Sequence, residues 1–438
     1  MNKSLSLIIV FFLFFTPLSV TAQEYSLKDL WKLALEKSET IKIAEEDLYI
    51  SKREKDMALA GLLPTLSAFG DHKRYSEEKT RSGLTVQPNY TNTWGFRLDH
   101  SLSLSGQEFR AYRMSRNTII KSGFDLDSVK GDYLLSIASA YFDVLKSKKA
   151  LEIANANVDR LTKHRDASSI RLRVGAVTKT VLLRAEAELS GAQSESIKAE
   201  NNLRLARYIL ARTAGIKEAY DIKEELPPVD LDSLSGDCKS SVLDCLRERT
   251  LERRSEIKAL TLQKSIATDQ VKFARGSFLP ILSVEGVFVR EENEPSTTFE
   301  IDERIYGTLT LNFPFFEGGL RMAEVGEAKA KLRQAEYSLS DMRKSINVEV
   351  ESSYLDLLTE SGVITKLQAE VEYSKDNYNA VSKQFTYGLA DSIDVMDANT
   401  LLVTAERELA NARYNHHLAY LKLKRATGTL LKTVVSEQ

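Results

Sequence analysis

Residues 94–105 read Trp94-Gly95-Phe96-Arg97-Leu98-Asp99-His100-Ser101-Leu102-Ser103-Leu104-Ser105. The large side chains Trp94, Phe96, Leu98, Leu102 and Leu104, with His100 among them, alternate with small or charged ones. Successive residues of a strand point to opposite faces, so this period of two describes a strand with one apolar and one polar side, dividing two environments. A second stretch repeats the pattern: Leu309, Leu311, Phe313 and Phe315 alternate with Thr308, Thr310 and Asn312. Lengths of about 10–13 residues suit a tilted strand crossing a membrane. The segments preceding each of them, 65–75 and 281–291, alternate less regularly, and a small soluble sheet packed on helices would also explain the two regular ones. Strands in lipid cannot leave open edges, and the smallest barrels have about eight strands. Four strands per chain therefore imply a barrel shared between copies, with about 8, 12 or 16 strands for two, three or four chains in a ring.

Working outward, the two strand regions belong to a duplicated unit. Leu63-Pro64-Thr65-Leu66 maps onto Leu279-Pro280-Ile281-Leu282 at an offset of 216, as do Leu27, Leu30 and Ile41-Lys42 onto Leu243, Leu246 and Ile257-Lys258. Tyr141-Phe142-Asp143-Val144-Leu145 maps onto Tyr354-Leu355-Asp356-Leu357-Leu358 at 213, and that offset holds for Gly175 with Gly388, Ala185 with Ala398 and Gly215 with Gly428. The chain is thus expected to contain repeat 1 at 23–226, a linker at 227–242, repeat 2 at 243–430 and a tail at 431–438. Each copy reads helix, strand, strand, helix, helix. Helices are expected near 26–62, 107–173 and 178–214, then near 243–278, 318–386 and 391–427. Strands are expected near 65–75, 92–105, 281–291 and 304–316, with outward loops at 77–90 and 292–302.

The 438 residues hold 8 prolines, and none falls in 89–226 or 315–438. Because proline breaks helix interiors, those stretches have room for very long helices. A helix of some 67 residues spans roughly 100 Å, and two of about 37 end to end span roughly 110 Å, so one long helix can lie beside two stacked shorter ones. Ala398, Leu402, Ala405, Leu409, Ala412, His416, Ala419, Leu423 and Ala426 follow steps of four and three, and Ala185, Leu189, Ala192, Ser196, Ala199, Leu203, Ala206 and Leu210 keep the same rhythm. A sustained repeat of 3.5 means supercoiled pairs, here in close approach on alanine. An ordinary coiled-coil spacer would show the same stripe.

The N-terminus sets the compartment. Lys3, the apolar run Leu5 to Phe15, Pro17 and Val20-Thr21-Ala22 form the pattern of a secretory signal over 1–22. No later run approaches the ~20 apolar residues of a spanning helix. Sixty basic against 62 acidic residues leave a net charge of −2, without the basic excess of a nucleic-acid protein. Cys238 and Cys245 are the only cysteines; exported to an oxidising compartment, they either form a local disulfide or stay as two buried thiols. No phosphate-binding glycine loop, nucleophile elbow or metalloprotease motif occurs, so no enzyme, cofactor or metal is expected and any driving energy comes from another protein. His416 and His417 are adjacent on a helix and point about 100° apart, which does not suit joint metal binding.

Several of these motifs resemble one known family. Leu63-Pro64 and Leu279-Pro280 ahead of a strand, Phe313-Pro314-Phe315-Phe316-Glu317-Gly318-Gly319 at a strand-to-helix corner, Tyr387-Gly388 with Asp394-Val395-Met396-Asp397-Ala398, and Glu408-Leu409-Ala410-Asn411-Ala412-Arg413-Tyr414 are similar to the TolC family of outer-membrane efflux channels, over nearly all of residues 24–430. The resemblance implies a mainly α protein with a β-barrel portion: a homotrimer with a 12-stranded transmembrane barrel, continued by a long periplasmic α-helical tunnel. It implies a passive outer-membrane duct of a tripartite efflux or type I secretion system, partnered by a periplasmic adaptor, an inner-membrane pump of the RND or ABC type and outer-membrane lipid. A periplasmic coiled-coil adaptor or scaffold is the alternative.

Candidate site residues follow. Asp394 and Asp397 lie three apart and share a helix face. With Asp391 they complement a helix N-terminus; by the resemblance they also form an acidic constriction at the periplasmic mouth, six carboxylates around one axis in three copies. Gly175 and Gly388 are expected left-handed helix ends. By the resemblance, Val174, Gly175, Ala176, Val177, Gly388, Leu389 and Ala390 form the tips that dock an adaptor. Val181 is the repeat partner of Asp394, and Phe385 and Ala390 flank the second tip, so the sequence leaves open how the mouth closes, with apolar packing as one way.

Overall fold

The computed structural model describes residues 23–217, 220–229, 242–297 and 301–436. The expected signal segment 1–22 and most of the expected linker fall outside them. Two strands and two long helices from each half dominate. In chain order the elements are β1 (Gln23–Tyr25), α1 (Leu27–Lys37), α2 (Glu39–Ala60), β2 (Thr65–Arg74), β3 (Lys79–Arg81), β4 (Leu84–Gln87), β5 (Tyr90–Ser103), α3 (Gln107–Arg173), α4 (Lys179–Ala214), β6 (Tyr220–Ile222), α5 (Val242–Arg253), α6 (Ser255–Gly276), β7 (Ile281–Glu294), β8 (Glu303–Asn312), α7 (Leu320–Tyr387), α8 (Ser392–Ala426) and α9 (Leu430–Ser436).

Four strands make one antiparallel sheet in the order β2-β5-β7-β8. The central pair, β5 with β7, joins the two repeats. Directly paired residues share a face, so the register sorts the side chains. Leu66, Leu98, Gly286 and Gly307 form one row; Ala68, Phe96, Phe288 and Ile305 form the next. This face is apolar, and Trp94 packs edge-on against Phe288 at 5.9 Å. The opposite face carries Arg97 3.6 Å from Glu285, Ser101 hydrogen-bonded to Ser283 at 2.8 Å and Arg304 2.7 Å from Glu291. It also carries Phe69, Val287 and Val289, which is why β2 and β7 alternate poorly in sequence. Phe69 lies over Gly95: a Cβ there would come 2.2 Å from the Phe288 carbonyl and 2.9 Å from the Phe69 ring. Among the described residues β2 and β8 each have a single strand neighbour.

The helices run away from this sheet. At 67 and 68 residues, α3 and α7 are each about 100 Å long. α3 is flanked by α2 near the sheet, where Ser51 donates to Ser122 at 3.0 Å, and by α4 farther out, where Leu161 meets Leu189 and Ala192. α6, α7 and α8 repeat the arrangement; the alanine stripe of α8 (Ala398, Ala405, Ala412, Ala419, Ala426) is buried. The largest core lies midway along the rod, where α1, α3, α4 and α8 meet around the fully buried Tyr141 and Phe142.

The structure differs from the sequence expectation in four places. The helix expected over 26–62 is two, broken at Ser38, whose extended backbone ends α1 and whose hydroxyl accepts from the Ile41 N–H at 3.3 Å to start α2. The helix over 243–278 breaks at Arg254, also extended, 216 residues later. The tail is largely a helix, α9, because Leu430 and Val434 have core to cover. Finally, the parallel pair β1–β6 and the hairpin β3–β4 were not legible: three or four residues give no periodicity.

Candidate functional site

The end of the rod distal to the sheet is formed by two helix-turn-helix tips. Both close the same way. At the first, the Gly175 N–H donates to Leu172 O at 3.0 Å and the Ala176 N–H to Arg171 O at 2.8 Å; at the second, Gly388 donates to Phe385 O at 3.0 Å and Leu389 to Gln384 O at 2.8 Å. Gly175 and Gly388 have φ of 74° and 79°. This is the left-handed Schellman ending, which glycine adopts without the Cβ penalty. Val174 and Leu389 protrude at the apex, 74% and 78% exposed. Ala176 is exposed, and Val177 and Ala390 are half-buried.

Asp394 and Asp397 are exposed on the first turns of α8. Asp394 Oδ2 accepts the Asp391 N–H at 3.0 Å, so one carboxylate oxygen serves the helix N-terminus while its charge stays on the surface. Val181, the repeat partner of Asp394, is half-buried.

The two tips are held together by side chains that sequence reasoning missed. Phe385 is buried, and its ring meets two residues of α3: the His164 imidazole with centroids 4.8 Å apart and the Arg171 guanidinium 4.6 Å away. Arg171 also donates to the Phe385 carbonyl, and His164 Nε2 lies 2.8 Å from Ser392 Oγ. Burial pushes the His164 imidazole below its ordinary pKa. One turn along α3, Arg160 bonds Glu406 at 3.2 Å, and Asn399 donates to Asn157 at 2.7 Å. Phe385, which sequence reasoning placed beside the second tip, is the centre of a clasp that is aromatic on one side and polar on the other. The duplication gave no signal for it, because the repeat counterparts of His164 and Arg171 are Asn377 and Gln384.

Two other candidates fall elsewhere. Cys245, on α5, is disulfide-bonded, and Cys238 lies outside the described residues. His416 and His417 face different ways: His417 Nδ1 is 2.9 Å from the Pro227 carbonyl and its ring stacks on Phe142, pinning the start of the linker to the core.

The family described as outer membrane efflux protein matches residues 30–215 and 246–429, one stretch per repeat. The outer membrane protein TolC of Escherichia coli is 25% identical over 308 residues, covering 68% of this chain and 61% of TolC; the chain thus spans about three fifths of that relative's length. TolC of Vibrio cholerae is 23% identical over 406 residues, covering 88% and 90%. The fold matches the Campylobacter jejuni CmeC outer membrane channel with a TM-score of 0.80 at 17% identity, over 94% of this chain and 88% of the other.

Proposed function

This chain belongs to the outer membrane efflux protein family, and from that premise we propose that it is the passive exit duct of a tripartite efflux or type I secretion system, standing in the outer membrane as a homotrimer with its helices in the periplasm. The observation that carries this reading is the four-stranded sheet with one apolar face and, among the described residues, two edges without a further strand neighbour. With strands alternating in direction, β8 of one copy runs antiparallel to β2 of the next, so identical copies add head to tail without a break in the pattern and close only as a ring. Three copies give 12 strands, the number the family resemblance favours. Lipid then covers the apolar face and water fills the side bearing Arg97, Glu285, Glu291 and Arg304.

At the far end, Asp394 and Asp397 from three copies form an acidic ring that attracts cations. Val174, Gly175, Ala176, Val177, Gly388, Leu389 and Ala390 present the surface on which a periplasmic adaptor docks, linking the duct to an inner-membrane pump. A soluble scaffold has no use for an apolar sheet face with open edges, which would aggregate in water. Reconstitution into planar bilayers tests the reading: discrete cation-selective conductance steps are expected, and protein that inserts in no bilayer refutes it.

A further inference from the structure

His164 sits where the first repeat grips the second repeat's tip. It is 6% exposed, its Nε2 is 2.8 Å from Ser392 Oγ, and Ser392 is the first residue of α8, two positions before Asp394. Arg171, two turns along the same helix, shares the Phe385 ring and holds the last turn of α7 by its carbonyl. The position of the acidic first turn of α8 relative to α3 therefore depends on one small cluster: His164, Arg171, Phe385 and Ser392.

We propose that the His164–Ser392 contact is a proton-operated latch, which holds the acidic mouth shut while the imidazole is neutral and releases it when the periplasm turns acid. The proposal rests on the channel reading above and assigns to His164 a positioning role at that mouth. The surroundings favour the neutral ring. His164 is shut away from water, and the Phe385 ring against it already carries the Arg171 cation. From α4 the residues packed on α3 at this level are Ala185 and Leu189, with Arg184, Glu186 and Glu188 exposed to solvent. On α3 itself, Arg160 is paired with Glu406, Arg165 with Asp166 at 2.7 Å, Lys163 lies beside it in sequence, and Arg171 places a second cation on the same Phe385 ring. On α7, Tyr378 lies under Arg160 and Lys383 is exposed. The carboxylates at the start of α8, Asp391 just before it and Asp394 and Asp397 within it, are all on the solvent side. An imidazolium here donates to Ser392, so release comes from burying charge beside Arg171, with the exposed carboxylates as the alternative partners outside.

The sign follows from linkage. The latched ring has its pKa held down by burial, whereas a released, solvated ring titrates near its ordinary value of about 6.5. The latch is at full strength above about 6.5 and weakens as pH falls below it, by up to about tenfold in the closed-to-open ratio per pH unit for each chain. Three latches acting as one multiply to about a thousandfold per unit.

The test is a distance measurement on full-length purified protein. Spin labels at Thr386→Cys report the separation of the second tips across the assembly from pH 7.5 to 5.0, with bilayer conductance recorded alongside. In the otherwise wild-type protein, the separation and open probability should rise together below about pH 6.5. His164→Gln, which bridges to Ser392 but takes up no proton, should keep the pH 7.5 separation throughout. Ser392→Ala should give the wider separation already at pH 7.5, which decides the matter if the glutamine variant fails to assemble. An unmoved distance in the wild type, or the same acid response in His164→Gln, overturns the latch while leaving the channel intact. Absence of both an inter-copy signal and conductance at every pH overturns the channel reading, and the latch with it.

Discussion

Glu256→Gln is the substitution whose cost is most directly set by the structure. Glu256 stands at the start of α6, just after the break at Arg254, and is the hub of an ion cluster joining both repeats. Arg254 donates to it at 2.9 and 3.0 Å, Arg425 at the end of α8 donates at 2.6 Å, and Ser128 of α3 at 2.9 Å. Arg254, almost wholly buried, also bonds Glu349 at 3.0 Å and caps α8 through the Ala426 carbonyl at 2.9 Å; Arg425 reaches Asp132 at 2.7 Å. Burial by itself pushes the Glu256 carboxyl up, but the hydrogen bonds from Arg254 and the charge of Arg425 outweigh it and bring the pKa from 4.5 down to about 2. At face value that difference is worth about 3 kcal/mol, and discounting for the water that reaches part of the group leaves about 2 kcal/mol. Stranding two buried guanidiniums raises the cost of losing the charge toward about 3–5 kcal/mol. Because the folded-state pKa is depressed, this contribution is complete above about 4.5, declines through that value and is gone near pH 2. Thermal unfolding followed by circular dichroism at matched scan rates is the assay. Glu256→Gln should melt well below wild type at pH 7, and the gap should narrow as pH falls from 4.5. Equal melting at pH 7, or a gap that does not narrow on acidification, would refute the reasoning.

Neutralising Asp394 and Asp397 together to asparagine should abolish block by divalent cations and lower cation selectivity in bilayer recordings, with little change in melting; unchanged block would remove the constriction. Gly95→Val should prevent detergent-stable assembly, since its side chain has to enter space held by the Phe288 carbonyl and the Phe69 ring, and normal assembly would show that the close approach is dispensable. Bulky replacements of Ala176 and Leu389 should stop export in cells while the assembly still forms, read by a substrate-accumulation assay and native gels; loss of both together would make the tips purely structural. Arg171→Ala should widen the tip separation at neutral pH by freeing the end of α7.

Much of the fold was legible because duplication doubled its signals. Leu-Pro before a strand, a glycine at each tip and the tyrosines Tyr141 and Tyr354 occur at matched places in the two repeats, and each occurrence supports the other. Strands β2 and β7 were harder: Phe69, Val287 and Val289 fill the polar face over Gly95, a dependence that exists only once β2, β5 and β7 are in register. The helix breaks at Ser38 and Arg254 were hidden for different reasons. Ser38 breaks the helix by a local cap that a single serine does not advertise. Arg254 is held by carbonyls of α8 some 170 residues away. At the tips, the glycines and aspartates could be read from type and spacing, but the clasp could not. His164 and Arg171 are unduplicated residues in a helix of 67, and what they touch is set by packing between the repeats.

A barrel closed by several copies has a fixed number of chains, and the stoichiometry of the membrane-extracted protein tests that most directly. Native mass spectrometry of the detergent-solubilised outer-membrane fraction should give a single species of three chains. Recovery as a monomer from the soluble periplasmic fraction would contradict it.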